Sequence, residues 1–256
     1  MRKLNSIVAI IAFVIWASIT LIPGIIKLNG KTQELGSQLT KAPDYSILSA
    51  ALFTLVVVFL TGSAKQTGLT FSNFKNLKIF RLQSVIILIC TLFLIYHYDV
   101  QNIYAMMWLF LNCIFVGISE ELMFRGILLS GLTKDWGYKM AAITVIVVFG
   151  LVHVLNAFTT GKIGEGALQA FMAMCSGMLL LSYRVKSGTI ILAMIFHAVW
   201  DFIAFMLSST LKLINPELLT IVVGVIMISA PVLFGIYGFY LLTRKGAADD
   251  FIESQD

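Results

Sequence analysis

The feature that most constrains this chain is a succession of long apolar runs, each closed by a few polar or basic residues. Ile7–Ile26, Ile47–Thr61, Ser84–Tyr96, Ile103–Leu132, Tyr138–Phe158, Ala167–Tyr183, Thr189–Leu207 and Leu218–Leu242 follow one another in this way. A run of about 20 apolar residues crosses a bilayer as a helix, because lipid offers no partner for an unpaired backbone group. Hydrophobic residues make up 59% of the chain and charged ones 12%, whereas a soluble domain carries about 25% charged residues. There is too little polar surface to face water on all sides. The expected fold is therefore all-α: a polytopic bundle of about eight transmembrane helices, with the second and third spans short.

The bundle is expected to form one integral membrane domain over residues 1–245, followed by an acidic, disordered tail at 246–256. Met1-Arg2-Lys3 ahead of the first run imitates a signal peptide, but no small-x-small site closes it, so the run reads as a retained span. Leu28–Tyr45 and Thr159–Gly166 read as loops. Ala64–Gln83 mixes Lys65, Lys75, Lys78 and Arg81 with Leu69, Phe71, Phe74 and Leu77. It reads either as an amphipathic segment on the membrane surface or as a plain basic loop. An even number of spans puts both ends on one side. With the N-terminus inside, about twelve Lys and Arg fall inside and about five outside, the bias of the positive-inside rule. The net charge of +5 is thereby assigned to orientation, and no nucleic-acid partner is called for. The expected setting is multi-pass in the plasma membrane of a bacterium, both termini cytoplasmic. Cys90, Cys113 and Cys175 all lie in apolar runs and read as small core residues, not disulfides or a metal cluster.

Within the spans few ionisable residues remain: Glu120, Glu121 and Arg125, then His153, then His197 and Asp201. Each charge at bilayer depth costs roughly 2.5–3.5 kcal/mol on insertion scales, so the group calls for partners and a task. His97 sits at a span end and reads as interfacial. Glu121 and Arg125 are spaced for an ion pair on one helix face, which leaves Glu120 pointing about 100° away. His197 and Asp201 have the same spacing. Counted from the inside ends of their helices, Glu120, His153 and His197 lie at depths of roughly 18, 22 and 15 Å, one layer. The fourth run would be roughly 45 Å long if wholly helical, so it must tilt, kink or protrude.

Carboxylates and imidazoles in one buried layer admit three chemistries. They hold zinc or another divalent metal that activates water. Or Glu120 and one His activate water directly while the other His and Asp201 stabilise an oxyanion. Or they relay protons in a transporter. Taken singly, a membrane His or a Glu–Arg pair is more often structural. There is no His-Glu-x-x-His and no Gly-x-Gly-Asp, and Met174 stands where a rhomboid-type Gly-x-Ser-Gly ahead of Gly177 would need Gly. No internal repeat of the transporter kind is visible.

Glu120-Glu121-x-x-x-Arg125, Phe149-x-x-x-His153 and His197-x-x-x-Asp201 resemble the three motifs of the CPBP family, the CAAX proteases and bacteriocin-processing enzymes also called Abi, which include the type II CAAX prenyl endopeptidases. The resemblance covers about 103–207, the expected catalytic core. It implies an intramembrane endopeptidase of CAAX type, a metalloendopeptidase where the family is labelled metal-dependent. In such an enzyme Glu120 activates water with His153 as its partner. His197 and residue 201 stabilise the oxyanion. Glu121 and Arg125 hold the first motif, and Phe149 packs on His153. If a metal is present, Glu120, His153, His197 and Asp201 are its ligands. The prenyl endopeptidases commonly have Asn where this chain has Asp201. An ionised Asp cannot donate to an oxyanion, so Asp201 is protonated, orients His197 or binds metal. The expected substrate is a membrane-associated protein or peptide. The alternatives are a non-catalytic bacteriocin self-immunity or regulatory protein, and a proton-coupled transporter.

Overall fold

The computed structural model describes residues 4–29, 31–70, 76–97, 102–211 and 217–253, and these are helical almost throughout. The helices are α1 (Ser6–Leu28), α2 (Leu35–Leu39), α3 (Tyr45–Thr61), α4 (Arg81–His97), α5 (Ile103–Glu121), α6 (Leu129–Trp136), α7 (Tyr138–Val154), α8 (Ala157–Thr160), α9 (Ile163–Ser187), α10 (Ile191–Leu211), α11 (Leu218–Thr243) and α12 (Ala247–Glu253). Among the described residues seven stretches are long and apolar enough to cross a membrane, and Tyr45–Thr61 is a shorter apolar helix. The polytopic all-α bundle expected from the apolar runs is the fold observed.

Polar residues set several helix ends. Asn5 accepts from the Val8 amide to cap α1, Asp44 accepts from the Ser46 and Ile47 amides to cap α3, and Asn102 accepts from the Ala105 amide to cap α5. Each cap satisfies backbone donors that a helix start leaves unpaired. Asp135, at the end of α6, accepts from both the amide and the hydroxyl of Ser6, tying α6 to the start of α1.

The long fourth run does not continue as one α-helix. Between α5 and α6 the segment Leu122–Leu128 is wound as π-helix, and all of its residues are buried. It lies at the middle of the bundle, against α1, α3, α7 and α9. π-turns are rare and occur mostly at functional sites. The segment follows directly on Glu120 and Glu121 and contains Arg125. α10 packs on α5, and α4 packs on α10.

Close helix contacts rest on glycine. An added Cβ at Gly238 of α11 would meet the backbone of Met178 and Leu179 in α9, and one at Gly150 of α7 would meet Met174 and the Ala170 carbonyl of α9.

Three expectations change. The tail is not wholly disordered: Ala247–Glu253 is helical, with Phe251 buried and its ring tilted against Tyr138, and Lys186 pairs with Asp250 at 2.6 Å. One aromatic side chain finds a pocket between helix ends and draws its neighbours into a turn of helix; residues 254–256 lie outside the described residues. The described parts of Ala64–Gln83 are neither an amphipathic surface helix nor a plain loop. Thr67 is buried, the Gly68 carbonyl accepts from the Ile190 amide, and residues 77–80 form a short 3₁₀ turn into α4 with Ile79 and Phe80 buried. Phe71, Phe74 and Lys75 lie outside the described residues, as do Met1-Arg2-Lys3. The stretch expected as a loop at Thr159–Gly166 is a turn at Gly161 between α8 and α9. Cys90, Cys113 and Cys175 are buried free thiols, as expected.

The close approach of α9 and α11 generates a stability prediction. Gly238→Ala should lower the thermal unfolding midpoint in detergent by an amount equivalent to about 1–3 kcal/mol, the cost of overpacking. Gly224→Ala on the same helix, where a Cβ meets nothing within 4 Å, should not lower it.

Candidate active site

The chain places one carboxylate at the centre of the motifs. Glu121 Oε1 accepts from Arg125 Nη1 at 2.9 Å and from His197 Nδ1 at 2.8 Å. All three side chains are buried. The expected Glu121–Arg125 pair is therefore present, and it reaches further than the helix it lies on, because it also holds the ring of α10. A carboxylate oxygen accepts only, so His197 Nδ1 carries a proton and Nε2 is the nitrogen turned towards the other acids. Nε2 stands 3.4 Å from Asp201 Oδ2 and 3.8 Å from Glu120 Oε2.

His153 comes from α7. Its Nδ1 lies 2.7 Å from the Phe149 carbonyl one turn earlier. A carbonyl accepts only, so Nδ1 donates and Nε2 is the atom left for chemistry. Phe149 packs its ring on His153 at 4.9 Å, as expected, and also lies under the Arg125 guanidinium at 3.8 Å. The cation–π contact covers a face of the guanidinium whose Nε and Nη2 have no hydrogen bond among the described residues. Gly177 of α9 completes that cradle: a Cβ there would come within 2.7 Å of Arg125 Nη2 and 3.0 Å of the Phe149 ring.

Glu120, the adjacent residue, faces elsewhere. It lines a cavity of about 250 Å³ together with His153, His197 and Asp201. Groups from three helices, α5, α7 and α10, thus line one cavity. Glu120 Oε2 is buried and has no hydrogen bond among the described residues. His97 is not part of the lining; its ring packs on Phe93. A second cavity, of about 550 Å³, shares His153, Gln169, His197, Asp201 and Phe205 with the first.

Sequence reasoning missed several parts of this site. Trp16 of α1 lines the first cavity and donates to Ser119 Oγ at 2.7 Å. Its signal was a lone Trp in the first span. The Leu28–Tyr45 segment, expected as a loop, contains the short helix α2, and its Gln38, Leu39 and Asp44 line the cavity. Asn112 pins it, donating to the Leu39 and Ala42 carbonyls at 2.8 and 2.9 Å and accepting from the Asp44 amide at 2.8 Å. A buried Asn eight residues before Glu120 was a readable signal.

The separations of His197 Nε2 from Asp201 and Glu120 are also those between ligands of one ion. Yet among the described residues no three His, Cys, Asp or Glu side chains are disposed to hold a metal together. The donor set expected for zinc does not fit such a centre in this arrangement.

Removing one partner of the buried hub leaves a charge without compensation, at a cost of about 3–5 kcal/mol. Arg125→Met should lower the thermal midpoint in detergent strongly. Arg125→Met combined with Glu121→Gln should recover part of that loss, read by the same melt.

No curated protein and no solved structure gives a significant match to this chain. Residues 101–203, which contain all three motifs, match the family model described as type II CAAX prenyl endopeptidase Rce1-like, and this match supports the resemblance of that core to the CPBP/CAAX proteases.

Proposed function

We propose that this protein is an intramembrane endopeptidase that hydrolyses a peptide bond in a membrane-associated protein or peptide with a water activated by Glu120. The family supports a peptidase in the membrane in general. The observation that carries the finer reading is the shared cavity, in which Glu120, His153, His197 and Asp201 face one another from three helices.

A water between Glu120 and His153 meets two acceptors, a carboxylate oxygen and the imidazole Nε2. It gives one hydrogen bond to each and turns a lone pair outward. Glu120 takes the proton as the water oxygen bonds to the scissile carbonyl carbon. The carbonyl π pair moves onto oxygen, and that oxyanion lies towards His197. With Nδ1 held by Glu121, a His197 that also carries a proton on Nε2 donates it in a hydrogen bond to the oxyanion. Collapse breaks the carbon–nitrogen bond, and Glu120 returns its proton to the leaving amine. Asp201 acts through His197. Of the three roles open to it, orienting the imidazole is supported by the 3.4 Å approach to Nε2. No step is routed through a metal.

The setting proposed is a bacterial plasma membrane with both termini on the cytoplasmic side, supported by the distribution of Lys and Arg. Prenylated CAAX proteins are one candidate substrate class, supported by the family description; peptide precursors of other kinds use the same chemistry.

Purified protein in liposomes with a panel of labelled membrane peptides tests this. Glu120→Gln should lower kcat by about 10²–10⁴ with KM nearly unchanged, the usual contribution of a positioned base. His197→Ala should lower kcat as well. Equal cleavage by all three proteins would remove the assignment. In a separate titration, a chelator should leave turnover intact; a loss restored by zinc would contradict the metal-free route.

A further inference from the structure

His153, His197 and Asp201 are only a small part of the lining of the second cavity. One face of α9 lines it from Glu165 through Met172 and Ser176 to Leu180, at helical spacing, so it runs along about 22 Å of that helix. Trp200 and Ala204 of α10 and Phe234 of α11 line it too. The Trp200 and Phe234 rings meet edge to face at 5.0 Å. Such a groove accommodates about six extended residues at about 3.3 Å each. Its walls are mainly apolar and include no Lys or Arg. Glu165 is paired with Lys162 at 2.8 Å, and that hydrogen bond raises the Lys162 ammonium above its ordinary pKa.

One polar group in the groove is incomplete. Gln83 of α4 is 2% exposed and lines the cavity. Its Nε2 donates to the Phe196 carbonyl at 3.3 Å. Because that carbonyl can only accept, the contact fixes which end of the amide is nitrogen. Oε1 is therefore the remaining atom; it is buried and has no hydrogen bond among the described residues. A buried acceptor left unpaired costs about 1–3 kcal/mol. An apolar side chain of similar size would avoid that cost.

We propose that this groove holds the apolar segment of the substrate peptide on one side of the cleaved bond, and that Gln83 Oε1 accepts a backbone N–H from it. The groove borders the hydrolytic groups, since His153, His197 and Asp201 line both cavities. A peptide supplies apolar side chains and a backbone donor together; a lipid acyl chain supplies no donor and leaves Gln83 unpaired. The substrate identity rests on the peptidase reading, but the binding does not require turnover.

The test uses the Glu120→Gln protein in nanodiscs and a fluorescent octapeptide of leucine and alanine, with binding read by anisotropy. A series of peptides replaces each backbone amide in turn by an ester, which removes one N–H. One ester position should weaken binding about fivefold, the worth of one hydrogen bond. Adding Gln83→Leu should weaken the all-amide peptide by the same factor and abolish the sensitivity to that ester. Ala204→Phe, which fills the groove without touching the Gln83–Phe196 bond, should weaken every peptide. Binding unaffected by Ala204→Phe, or an ester series with no selective position, overturns the proposal, and the second outcome needs no Gln83 variant to fold. A wild-type protein that binds in this pattern and cleaves nothing would fail the peptidase reading alone.

Discussion

The arrangement depends on one carboxylate oxygen. Glu121 Oε1 is shared by the Arg125 guanidinium and the His197 imidazole in the middle of a membrane bundle. Three buried ionisable groups are tolerable there because opposite charges pair through that oxygen; any of them alone would carry a large desolvation cost. The same contact joins the fourth membrane run to α10 and fixes which nitrogen of His197 points into the cavity. Phe149 and Gly177 wall part of the space around Arg125. Outer contacts of this kind determine how a reactive ring is presented, as they do around metal ligands.

Two neighbouring glutamates thus have different surroundings. At the end of α5, adjacent side chains diverge by about 100°. Glu121 turns into the dry interior, and Glu120 turns into the cavity. The π segment that follows is buried on all sides and meets four helices. It changes the winding directly after the two acids, so that Arg125 still reaches back to Glu121 while the rest of the run packs in a new register.

Much of this could be read from the residues. The apolar runs gave the spans, because lipid leaves helices as the only open-chain solution. The i, i+4 spacing gave the Glu121–Arg125 pair, and helical rise placed Glu120, His153 and His197 in one layer. What was hidden has physical reasons. A π-helix has no residue signature distinct from the apolar run around it. Trp16, Gln83 and Asn112 act through contacts with helices far away in the chain, which periodicity cannot report. The helix at Ala247–Glu253 rests on the burial of Phe251 in a stretch otherwise acidic and small. The bond from Glu121 to His197 was missed because a paired glutamate reads as spent, although each carboxylate oxygen has room for two donors.

The central claim is that groups from separate helices act together on one water. The rates of peptide hydrolysis by the wild type, Glu120→Gln, His153→Ala and the double variant, measured with one peptide in liposomes, test it most directly. Residues that act as a unit are strongly non-additive. The account predicts a double variant no slower than the slower single one; losses that multiply would show that the two side chains serve separate steps and would contradict it.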